Sequence, residues 1–194
     1  AWGDAPNEPH KVRVGCDIGV GTLYFDASEP TTLILLYSQQ AEKAASKFLN
    51  DQLPFIELHR QKCDAQVRLH EQSHHPAIEQ LEKKLRAELD ATEEPTTSFR
   101  ELQRRAIVLS RLQKQYTEAL GELEKIQTTV EINLRNLKDL TGSAFKTDAC
   151  PSLYKELLEQ YQRAVEQIGY DRRYFEVANQ QATVARETLQ TLVE

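Results

Sequence analysis

The sequence predicts a mainly α protein, an elongated antiparallel helical bundle or coiled coil of three or more long helices with a small N-terminal β element. Three observations predict it. Leu102, Leu109, Tyr116, Leu123, Val130 and Leu137 stand seven apart in a run without proline. Tyr154, Tyr161, Ile168, Phe175, Ala182 and Leu189 repeat the device further on. A seven-residue apolar repeat buries one stripe of a helix against other helices and leaves its other faces wet. Near the start, Val12, Val14 and Cys16 alternate with Lys11, Arg13 and Asp17, the period of a strand.

The first ten residues, with Gly3, Pro6 and Pro9, have the composition of a linker. After the alternating run come Gly19 to Gly21 and then Thr22, Leu23, Tyr24 and Phe25, which fits two short strands joined by a glycine turn. Residues 31–37 are open between a third strand and a helix with Pro30 at its first position; helix is favoured from about Tyr37. The chain thus divides into 1–36, linker and β element, and 37–194, helical bundle.

Proline breaks the first helical region twice. Pro54 should kink or restart the helix, because it lacks an N–H and clashes with the carbonyl one turn back, and Pro76 should open a segment over 77–89. This region is therefore two or three helices, and an acidic connection over 90–95 follows. Ser98 with Glu101 forms a capping box, and Gly142 sits where a C-terminal glycine cap belongs. These bound a helix of about 43 residues, on the order of 65 Å long.

The last helix opens near Pro151. Its second seam position carries Leu157, Ala164, Ala178, Ala185 and Leu192, and Ala178, Ala182 and Ala185 allow a neighbouring helix to come close. Asp171 and Arg172 interrupt the stripe, as a register device or a flare into solvent. The stripe is still in phase at Leu189, Leu192 and Val193 without a stop signal, so the helix is expected to continue in a longer protein.

Composition narrows the function classes. With 40% apolar residues, 28% charged residues and a net charge of -6, the chain reads as soluble and not a binder of nucleic acid, whose phosphates select a basic excess; its compartment stays open, with cytoplasmic favoured over exported. Residues 97–141 are mildly basic, a solvated face with room for an acidic partner or a membrane surface. Cys16, Cys63 and Cys150, odd in number and widely spaced, are no disulfide framework, with one bridge and one free thiol left open. No apolar run approaches the length of a transmembrane segment.

Two segments carry chemical signals. His59, Cys63, His70 and His74 lie at offsets of four, seven and four, near one helix face. His70 and His74, one turn apart, are the candidate metal ligands, with His59 and Cys63 as additional ones and Glu71, Asp64 or Cys150 as sources of further donors. The plainer reading is a polar face edged by histidines. The second signal, Asp17-Ile18-Gly19-Val20-Gly21-Thr22, resembles the first phosphate loop of actin-like and sugar-kinase-like ATPases, where glycine lets backbone amides approach a phosphate. Those families also require a second phosphate loop and an adenosine pocket among alternating strands and helices. The helical, glycine-poor remainder lacks that pattern, so a glycine-turn hairpin accounts for the motif better.

No nucleophile stands with a base, and catalysis is not indicated. In shape alone the long helices resemble spectrin-like, BAR-like and periplasmic sensor bundles. The expectation is a non-enzymatic protein-interaction or scaffold module, meeting protein partners through helical faces, with a homodimer open and no cofactor beyond a divalent metal. The alternatives are a ligand- or metal-responsive sensor domain and a membrane-surface-binding helical dimer.

Overall fold

The structure, a computed structural model, describes residues 14–17, 20–26, 32–93, 98–144 and 152–193. They form two compact units. One takes the described residues up to Gln61 with those of Leu134–Gln160, the other those of Lys62–Asn133 with Tyr161–Glu194. The chain is mainly helical, with three long helical stretches and a small antiparallel sheet.

Strands β1 (Val14–Asp17), β2 (Thr22–Asp26) and β3 (Thr32–Leu36) pair antiparallel in that order. Asp17 lies opposite Thr22, and Thr22 opposite Leu36. Residues 32–36 of the run left open are therefore a strand, which takes the second edge of β2. A Cβ on Gly21 would collide with the Leu36 carbonyl oxygen. This glycine is explained by close backbone approach inside the sheet. The linker expected over the first ten residues, and Val12 of the alternating run, lie outside the described residues.

A 3₁₀ turn, Gln39–Ala41, leads into α1 (Glu42–Lys47), α2 (Leu53–Leu69) and α3 (His75–Glu93), which are joined by π-helical turns at Phe48–Gln52 and His70–His74. The Leu53 N–H donates to the Phe48 carbonyl and the His75 N–H to the His70 carbonyl, each across five residues. Each α-helix restarts one residue before its proline. The expected interruption at Pro54 and Pro76 thus takes the form of a widened turn, which makes room for the ring and keeps the helical path going. Helix α3 runs to Glu93, so the first residues of the expected acidic connection are helical.

Helix α4 spans Phe99–Ala144 and α5 spans Ser152–Val193. Ser98 precedes α4, and its carbonyl accepts the N–H groups of Glu101 and Leu102. Gly142 lies within the last turn of α4, two residues short of its end.

The seam residues are the core. Leu109, Tyr116, Leu123, Val130 and Leu137 are fully buried, Leu102 partly, and Tyr154, Tyr161, Ile168, Phe175, Ala182 and Leu189 are buried along α5. In the first unit Leu23, Ala45, Phe48 and Ile56 are also buried. In the second, Ile78 and Leu85 of α3, Leu109 to Leu123 of α4 and Phe175 to Leu189 of α5 share one cluster. Gln113 donates to Thr183 at 2.5 Å, and Arg172 of α5 stands 3.7 Å from Glu124 of α4. Rising numbers on α4 meet falling numbers on α5, so the two helices run in opposite directions. Tyr161 meets Asp64 and Tyr174 meets Arg86, so α5 follows the direction of α2 and α3.

Candidate functional site

A π-turn changes which side chains share a face. Residues four apart align in an α-helix, but a turn closed by five-residue hydrogen bonds moves the match one position onward. Across His70–His74 the partner of His70 is therefore His75, with ring centroids 5.5 Å apart. The two imidazoles meet Asp171 of α5. Asp171 Oδ2 lies 3.2 Å from His70 Nε2 and 3.1 Å from His75 Nδ1. The side chains of His70, Asp171 and His75 are 7%, 11% and 34% exposed.

These distances are those of ion pairs, yet the angles make no hydrogen bond at His70 Nε2, His75 Nδ1 or Asp171 Oδ2. Asp171 Oδ1 and His75 Nε2 have other neighbours. Gln167 Nε2 donates to Asp171 Oδ1 at 2.7 Å, and Glu79 Oε1 lies 3.5 Å from His75 Nε2. Burial pushes the His70 imidazole below its ordinary pKa, against the pull of the Asp171 carboxylate; His75 adds to the depression. Low-dielectric surroundings favour neutral imidazole, which has a free lone pair on one nitrogen.

Among the described residues, His70, His75 and Asp171 are the group whose ligand atoms all lie within 4.8 Å of one another. His74, the sequence-derived partner of His70, ends the π-turn half-buried and is outside that group. His59 is half-buried on α2. Cys63 is buried, with its thiol directed at the Val130 carbonyl at 3.9 Å and its pKa pushed up to about 12 by burial and by Asp64. A thiol so held stays protonated, and metals take the thiolate. Asp64 accepts the Tyr161 hydroxyl, Glu71 is exposed, and Cys150 lies outside the described residues.

Sequence reasoning missed His75 and Asp171. The available signal was the carboxylate in an apolar seam, since a charge on a burying face calls for a partner. Asp171 turns inward instead of flaring into solvent.

A second feature lies on the outer face of α5. Tyr170, Tyr174, Val177, Val184 and Leu192 are 61%, 55%, 54%, 64% and 62% exposed. Beside them an open groove of about 810 Å³ between α3 and α5 is lined in part by Arg86, Leu89, Val177, Val184 and Leu192. No helix among the described residues is long and apolar enough to cross a membrane. No family model matches the chain, nor does any curated protein or solved structure.

Proposed function

We propose that the chain is a non-catalytic protein-interaction module, an antiparallel helical bundle with coiled-coil seams that pairs with a second copy of itself through the outer face of α5. One observation carries the reading: α5 has two apolar stripes and its own fold covers only one. Tyr170, Tyr174, Val177 and Val184 follow the four-three spacing of a coiled-coil seam, with Gln181 and Thr188 in the intervening seam positions. Several large apolar side chains in line at helical spacing mark an interaction face, whereas scattered ones do not.

The charges favour a second copy. In an antiparallel pairing of two α5 helices about a two-fold axis near Gln181, Val177 faces Val184 of the other copy and Tyr170 faces Leu192. Arg173 then lies across from Glu187, and symmetry repeats the pair. Both rings already have neighbours that restrict their rotation. The Arg173 guanidinium sits 4.7 Å from the Tyr170 ring centroid, and Arg86, paired with Glu82, donates to the Tyr174 hydroxyl at 2.9 Å. Ordered aromatic groups lose little entropy on association.

Sedimentation velocity across micromolar to submillimolar concentrations tests this. A concentration-dependent dimer is expected, lost in Val177→Glu/Val184→Glu, weakened in Glu187→Arg and recovered in Arg173→Glu/Glu187→Arg. A monomer throughout, or a dimer indifferent to these changes, overturns the reading.

A further inference from the structure

We propose that His70, His75 and Asp171 form a binding site for a divalent transition cation of borderline softness, zinc and its neighbours. The site goes beyond the interaction reading and does not depend on it. The first support is geometric. With metal bonds of about 2.0–2.1 Å, the edges of a tetrahedron are about 3.3–3.4 Å. Oδ2 of Asp171 stands 3.2 and 3.1 Å from the two imidazole nitrogens, close to that spacing before any adjustment.

The second support is the state of those atoms. His70 Nε2 is buried, and it, His75 Nδ1 and Asp171 Oδ2 face one another at ion-pair distances without a hydrogen-bond partner among the described residues. Buried polar atoms without hydrogen bonds are costly, and three that face one another are satisfied together by one cation.

The third support is the outer shell. Gln167 anchors Oδ1, which leaves Oδ2 for the metal, and Glu79 stands at the far nitrogen of His75. A metal-bound imidazole commonly gives its other nitrogen to a carboxylate in this way.

Donor chemistry sets the class. Two imidazoles and one carboxylate oxygen suit zinc, cobalt or nickel; calcium and magnesium require mainly oxygen ligands. The partial exposure of His75 leaves one side for ion entry and for a water as fourth ligand. The π-turn places both imidazoles on one face, and the cation would tie its two ends to α5.

The test uses the full chain without a tag. Zinc titration by calorimetry and the visible absorption of cobalt should both give one ion per chain. Binding should be lost in His75→Gln and Asp171→Asn, weakened about tenfold or more in Gln167→Ala, and kept in His74→Ala. Circular dichroism checks the fold of each variant. A site made by the α-helical pair would instead fail in His74→Ala and survive in His75→Gln, which overturns the proposal. A bare ion pair, seen as no heat with zinc and no cobalt band, overturns it too. Should the variants not fold, the unaltered chain still decides: zinc must raise its Tm where magnesium does not, and equal midpoints reject the site.

Discussion

The Tyr161 hydroxyl donates to Asp64 Oδ1 at 2.5 Å, while the Tyr154 hydroxyl donates to Glu57 Oε1 at 3.2 Å. Both tyrosines are buried seam residues of α5, one heptad apart, and each meets an acid of α2. Their bonds differ in length, and Glu57 Oε2 also takes the Arg60 guanidinium at 2.7 Å. A hydrogen bond to a charged acceptor stabilises by about 1.5–3 kcal/mol. Tyr161→Phe should therefore cost about 1.5–3 kcal/mol, and Tyr154→Phe less. Urea unfolding of the two variants measures this; equal losses would show that the shorter contact has no special weight.

The third buried tyrosine behaves oppositely. Tyr116 is fully covered, and its hydroxyl has no hydrogen-bond partner among the described residues. Its pKa is raised well above the ordinary phenol value, first by burial and then by Glu82 and Tyr174. A buried hydroxyl without a partner is a cost that phenylalanine removes at nearly constant volume. Tyr116→Phe should be neutral or stabilising by up to about 1 kcal/mol, with the edge contact to Phe175 retained. A loss as large as that of Tyr161→Phe would reveal a partner for this hydroxyl.

The stripes were legible because a heptad repeat is a local rule. Burial of Leu109, Tyr116, Leu123, Val130 and Leu137 follows from spacing alone. The candidate site was half legible. His70 stood out by type, but pairing it with His74 assumed α-helical turns, and the π-turn that substitutes His75 depends on how the backbone accommodates Pro76. Proline announced a break without specifying its geometry. Strand β3 stayed open for a similar reason: Thr32–Leu36 is too short a run for periodicity to separate helix from strand, and its pairing with β2 decides.

Cys63 should be chemically silent in the folded protein. With its thiol buried and its pKa near 12, almost no thiolate is present at pH 8. Iodoacetamide should leave the Cys63 peptide unmodified under native conditions and label it in denaturant, at a rate set by opening of the core. Rapid native labelling, read by mass spectrometry of that peptide, would mean that α2 departs readily from α4.

Glu101 sets an acid limit at the start of α4. Hydrogen bonds from Arg104 and Arg105 hold its carboxyl at about 2, below the ordinary 4.5. Arg105 also donates to the Ala91 carbonyl, so the cluster fastens the end of α3 to the beginning of α4. The sign follows from the lowered value. The unfolded chain takes up this proton more readily, so the contribution is complete above pH 4.5 and is lost as pH falls from about 4.5 towards 2. The pair is exposed and its effect is reduced by salt. In acid titrations followed by circular dichroism, Glu101→Gln should lower stability at neutral pH and flatten the decline between pH 4.5 and 2 relative to the unaltered chain. High salt should narrow the difference between the two proteins. Superimposable acid limbs at low salt would mean that the arginines contribute nothing to holding α3 against α4, and that this contact rests on the apolar packing of Leu89 and Leu102 against the core.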